Sequence, residues 1–166
     1  MKKQVLWFGI VLLALAALPL LGGGASKGKA RPFQAKSVGH ITAEYLTADS
    51  YTYDFVMNGQ ATHLGKFELP LLGIQWLFPV EPPDPANISS GTLIAANGDS
   101  VNIHMEDYFH HFDDSIGAVL HGTYVITGGT GRFLNASGTG SYIAIVDVIH
   151  FNPPITTFSF DGTIVY

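Results

Sequence analysis

Residues Gly122 to Tyr142, GTYVITGGTGRFLNASGTGSY, constrain the fold more than any other stretch of the chain. Thr123 to Thr127 is a β-branched and aromatic run of strand length, and Gly128-Gly129-Thr130-Gly131 closes it. Glycine accepts positive φ without a steric cost, so this is a turn, and Gly128, Gly129 and Gly131 are its structural residues. Strand, glycine turn and strand in this order predict an antiparallel hairpin.

The same alternation runs through most of the chain. Val38 to Leu46 and Tyr51 to Met57 read as strands around a turn at Thr47-Ala48-Asp49-Ser50. In the second, Tyr51, Tyr53, Phe55 and Met57 share one face, the period of two of a half-buried strand. Asn58-Gly59 is a hairpin signal, and Ala61 to Leu69 continues as a strand kinked at Gly65. From Pro70 to Ser90 five of the nine prolines accompany Trp76, Leu77 and Phe78, which predicts a stiff connection with apolar anchors. It reads as a lid, an oligomer contact or a loop folded on the wall. Alternation resumes at Gly91 to Ala96, and Val101, Ile103 and Met105 then face opposite to Asn102, His104 and Glu106. Tyr108 to Gly117 reads as irregular, and strands follow at Ala118 to Thr127, Ser141 to Ile149 and Ile155 to Tyr166.

About eight short strands with no crossover helix imply an all-β, antiparallel meander that closes into a barrel. Such a barrel is just wide enough to be filled by side chains or to hold one small ligand. The N-terminus is different. Met1-Lys2-Lys3, the apolar run Val5 to Leu21 and the small residues Gly22 to Ala25 read as a helical signal peptide over 1–25, the alternative being a retained membrane anchor. A flexible arm over 26–36 and a barrel over 37–166 follow. The expected setting is secreted or periplasmic, without stable membrane insertion after cleavage. Thirteen Asp and Glu against eight Lys and Arg argue against nucleic acid as a partner. With no cysteine, the core must hold the fold without disulfides.

Gly128-Gly129-Thr130-Gly131-Arg132-Phe133, preceded by Thr123 to Ile126 and followed by Ala136-Ser137-Gly138, resembles the GGTGxF turn of plant dirigent proteins and the GGSGxF turn of allene oxide cyclases. Val148 to Gly162 is similar to the closing hairpin of the cyclases. Ala61 to Phe67 and Thr92 to Asp99 resemble secreted bacterial proteins of the allene-oxide-cyclase-like barrel group. The resemblance implies an eight-stranded antiparallel barrel. It does not carry an activity: the cyclases' glutamate, asparagine and proline are not matched, and Ser137 stands where dirigent proteins have arginine.

For chemistry, the densest polar run is His104 to Asp114. His104 and Glu106 project from one strand face, but no second patterned pair accompanies them, so no metal and no cofactor is expected. His63 reads as a histidine bonding its neighbouring turn, and His121 with Asp147 as a candidate base and orienter across strands. Asn87-Ile88-Ser89 and Asn135-Ala136-Ser137 fit the glycosylation pattern of a eukaryotic secretory route. Tyr51, Tyr53, Phe55, Tyr124, Phe158 and Phe160 are the candidate lining of a pocket for a small apolar or phenolic molecule, or else they fill the barrel. Three functions follow: ligand binding in the barrel, a cofactor-free isomerase or cyclase (or a dirigent-type stereo-directing protein), and a non-catalytic interaction module. The apolar 141–149 strand suggests a homo-oligomer through the barrel wall.

Overall fold

The computed structural model describes residues 28–76 and 85–166. The expected signal peptide and the 77–84 part of the proline-rich connection lie outside the described residues. Eight strands form: β1 (Arg31–Leu46), β2 (Ser50–Ala61), β3 (Gly65–Trp76), β4 (Asn87–Ala95), β5 (Ser100–Asp113), β6 (Gly117–Gly129), β7 (Ser137–Asp147) and β8 (Ile155–Val165). Each pairs antiparallel with the next, and β8 returns to β1, with Arg31 opposite Ile164 and Gly39 opposite Thr156, so the sheet closes into a barrel. Closure leaves no strand edge exposed to another chain.

Several sequence expectations shift. Residues 31–36, expected as part of the arm, are the first six residues of β1 and pair with β8. Asn58-Gly59 is not a turn, because β2 runs on to Ala61. Gly59 pairs with Ser37 and Phe67, and a Cβ there would press on the Phe67 ring. The hairpin turn falls at 62–64 instead. Pro70 to Trp76, expected as connection, is the second half of β3. Pairing of β3 with β4 is interrupted at Leu69 and Pro70, where a missing N–H is tolerated. Tyr108 to Asp113, expected as irregular, extends β5, with a bulge between Phe109 and His111.

Inward positions hold two kinds of residue. Rings of Phe33, Phe55, Phe67, Tyr124, Tyr142 and Phe160 are buried, and glycines stand on the strands beside them. A Cβ on Gly122 would overlap the Tyr142 ring, one on Gly73 the Tyr53 ring, and one on Gly140 or Gly162 the Tyr124 hydroxyl. The exchange is favourable: burying an aromatic side chain stabilises by roughly 1.5–3 kcal/mol, while a glycine inside a strand costs about 0.5–1 kcal/mol.

The two ends of the barrel differ. At one, the C-terminal Tyr166 packs on Phe133 at 4.8 Å and on His63 at 5.7 Å between ring centroids. Arg31 lies 4.6 Å over the Tyr166 ring and donates to its hydroxyl at 2.8 Å. The glycine turn closes the same end. Gly131 has φ +57°, and a Cβ there would overlap Asp99 Oδ1. Thr130 N–H donates to Ser100 O at 3.0 Å, and Phe133, in the 3₁₀ turn Gly131–Phe133, is fully buried. This end is plugged. The opposite end, where β1 meets β2, β3 meets β4, β5 meets β6 and β7 meets β8, carries no comparable plug among the described residues.

If ring and glycine share one volume, Gly122→Ala destabilises by about 1–3 kcal/mol through overpacking. In a Tyr142→Leu background the same change should cost much less. Urea denaturation of the four proteins of this cycle checks it, and additive costs would refute the shared volume.

Candidate functional site

Alternation along β5 places Val101, Ile103, Met105 and Asp107 inward. The first three are core. Asp107 is a carboxylate in a core position, 7% exposed, at the level where the barrel approaches its unplugged end. Opposite it on β4 stands Asn87, and two strands away on β7 stands Tyr142. Asn87 donates its amide to Asp107 Oδ1 at 2.6 Å, and Tyr142 donates its hydroxyl to Oδ2 at 2.8 Å.

Beside this group lies a cavity of about 100 Å³. Tyr51, Tyr53 and Phe55 from β2 and Phe158 from β8 give it aromatic walls, with Ile41, Leu71, Met105, Leu120 and Val146 as further apolar lining. Its polar lining is Gln75, Asn87, Ser89, Asp107 and Thr156. Tyr51 and Tyr53 are 5.7 Å apart between centroids, and Phe55 meets Phe158 edge-on at 5.8 Å. Tyr51 donates to Gln75 Oε1 at 2.5 Å, and Tyr53 and Ser89 both line the recess. The result is an apolar recess with one carboxylate in its wall.

The electrostatics follow from burial. Desolvation pushes the Asp107 carboxyl above its ordinary value, opposed by the hydrogen bonds from Asn87 and Tyr142. Tyr53 and Tyr142 are raised far above the usual phenol, by burial first and then by the Asp107 charge. Tyr51 is raised as well, by burial, Glu44 and Asp107. All three phenols therefore stay protonated around neutrality, and Tyr51 and Tyr142 act as donors.

The sequence-derived ligand residues separate into two groups. Tyr51, Tyr53, Phe55 and Phe158 line the cavity. Tyr124 and Phe160 do not. Tyr124 is 1% exposed, lies 5.9 Å from Phe33 and 5.7 Å from Phe160, and fills the plugged half of the barrel. Its hydroxyl has no hydrogen-bond partner among the described residues, and burial pushes its pKa up to about 12. Gly128, Gly129 and Gly131 stand at the plugged end, away from the cavity.

The other candidates resolve onto the outer surface. His104 bonds Ser90 at 2.8 Å and approaches Glu106 at 3.4 Å. His121 does not meet Asp147: it stacks on His110 at 4.1 Å, and Asp147 accepts instead from His150. The bulge in β5 brings His110 into that stack, and His121 in turn holds His110 below the usual imidazole value. His63 bonds Pro32 O at 3.0 Å, and Arg132 donates to the His63 carbonyl. Asn87 of the first glycosylation pattern is buried against Asp107, whereas Asn135 of the second is exposed. Among the described residues no group of three or more His, Asp or Glu could hold a metal ion.

Asp107, Asn87, Ser89, Gln75 and Tyr142 were not among the sequence-derived site residues. For Asp107 a signal existed: continuing the period of two from Val101, Ile103 and Met105 reaches it next. No protein-family model, no curated protein and no solved structure matches this chain.

Because the folded carboxyl of Asp107 titrates above its unfolded value, the folded state holds that proton more tightly. Its contribution is most favourable below about pH 4, the unfolded carboxylate range, and declines as pH rises through the folded value. Asp113, lowered by its bonds from Ser115, and Asp147, lowered by those from His150, act in the opposite sense. Asp107→Asn removes only the declining part. The variant should gain stability relative to wild type as pH rises in urea titrations from about pH 3 to about pH 9. A difference independent of pH would contradict this.

Proposed function

We propose that the protein binds one small apolar or phenolic molecule inside the barrel, without a cofactor, in a secreted or periplasmic setting. The observation that supports this reading is the recess walled by Tyr51, Tyr53, Phe55 and Phe158 around the single carboxylate of Asp107. Its size sets the scale. At about 100 Å³ the recess is smaller than the apolar cavity of about 150 Å³ that accepts benzene, so it encloses only part of a ring or a small head group, and the remainder of the ligand points out of the barrel. Asp107, Ser89 and Gln75 would orient the polar end of such a molecule, and the rings would hold its body by burial. The likeness of Gly128 to Phe133 and of Val148 to Gly162 to the allene-oxide-cyclase-like and dirigent barrels is consistent with this reading and supplies no substrate.

A second reading, a cofactor-free isomerase or cyclase, is favoured by the same carboxylate. A desolvated Asp with a raised pKa among protonated phenols is poised to accept or return a proton on a bound substrate. In that case Asp107 would be the acid–base group and Tyr142 its positioning residue.

Saturation-transfer NMR with p-cresol tests the binding reading. Phe158→Ala should weaken p-cresol binding at least tenfold, and Tyr124→Phe should leave it unchanged. Equal binding by Phe158→Ala and wild type would exclude the recess as the site. Under the second reading Asp107→Asn abolishes turnover of the substrate while the protein stays folded by circular dichroism.

A further inference from the structure

We infer that the ligand carries one organic ammonium group, which seats against Asp107 with its alkyl shell on the rings of Tyr51, Tyr53, Phe55 and Phe158. This rests on the pocket reading above and narrows it to a chemical class.

The first argument is a missing charge. Asp107 is 7% exposed, and both of its hydrogen-bond donors, the Asn87 amide and the Tyr142 hydroxyl, are neutral. The ion pairs among the described residues join His104 to Glu106, Arg132 to Asp99 and His150 to Asp147, and none of them includes Asp107. The described Lys and Arg residues, Lys29, Arg31, Lys36, Lys66 and Arg132, lie on the plugged half of the molecule. A carboxylate removed from water without a counter-charge is costly unless it is paired or protonated. The raised pKa of Asp107 is that cost expressed as proton affinity. A cation brought by the ligand would relieve it.

The second argument is the wall material. Aromatic faces are electron-rich and attract a cation held within about 6 Å of the ring centroid. Four rings and one carboxylate line the recess, the residue types that a site for an organic cation combines. Each Asp107 oxygen has accepted one hydrogen bond and retains capacity for another, so an N–H donor can be taken without breaking the bonds to Asn87 and Tyr142.

Alternative occupants of the same chemistry fare worse. An anion would meet Asp107 and the protonated phenols with no cation to receive it. A calcium or magnesium ion wants six or more oxygens, whereas apolar side chains form most of this wall. A neutral phenol bonds the carboxylate but leaves its charge uncompensated. Glu44, Asp49, Asp113 and Asp114 lie on or next to the connections at the unplugged end, negative charges that favour approach of a cation.

Choline and its neutral carbon isostere, 3,3-dimethyl-1-butanol, differ in charge at nearly constant shape. Calorimetric titration of the purified protein should show choline binding at least tenfold more tightly. Asp107→Asn should bring that ratio close to one, whereas Tyr124→Phe, outside the recess, should leave it unchanged. Equal affinity of wild type for the two probes would overturn the inference, and so would an undiminished ratio in Asp107→Asn. If that variant does not fold, the wild-type ratio decides by itself. If the isostere and p-cresol bind but choline does not, only the ammonium assignment fails. If none of the three binds, the pocket reading fails with it.

Discussion

The interior of an eight-stranded barrel has room for a limited number of large side chains, and this protein meets the limit by setting rings against glycines. Tyr142 occupies the space that a Cβ on Gly122 would take, Tyr53 that of Gly73, and Tyr124 that of Gly140 and Gly162. The barrel is therefore neither uniformly filled nor hollow. Where rings from several strands meet, as Phe33, Tyr124, Phe160 and Tyr142 do, the interior is solid.

That uneven filling creates the site. The plugged end is held by Tyr166, Phe133, Arg31 and the glycine turn, so the remaining space lies toward the other end. There the inward positions pass from Met105 to Asp107 on β5, and from Leu93 to Ser89 and Asn87 on β4. Polar groups follow apolar ones along the same faces. Asp107 is stabilised by two donors and penalised by its dry surroundings at once, and this opposition gives the recess its chemical character. Binding of a neutral ring, proton transfer and capture of an ammonium group each draw on a different consequence of that one buried carboxylate.

Much of this was legible in the residues, and the failures have specific causes. The alternation of β2, β5, β6 and β8 reads correctly because one face of each strand meets the core and the other meets water. Asn58-Gly59 was misread because a glycine beside asparagine signals a turn locally, whereas Gly59 stands within β2, where a Cβ would meet Lys36 O and Ser37 Cβ on one neighbouring strand and the Phe67 ring on the other. Pro70 to Trp76 was misread because proline density suggests a connection, while a barrel tolerates Pro70 where the ladder to β4 is already interrupted. The aromatic set was identified as a chemical class but not divided: nothing local separates Tyr53 from Tyr124, since both alternate inward on strands of similar composition.

The sequence by itself determined the strand period, the meander and the glycine turn, because these depend on neighbours two to four residues apart. It also determined that Asp107 follows Met105 on the inward face, once the period is carried through. Only the tertiary structure decided that Asn87 and Tyr142, 20 and 35 residues away in sequence, meet that carboxylate. It alone decided that Tyr124 and Phe160 are core while Tyr51 and Phe158 line a recess. Those outcomes depend on closure of β8 onto β1 and on the register of eight strands, which set what lies across the barrel from each residue. Side chains that face one another across a closed sheet carry no mark of it in the order of the chain.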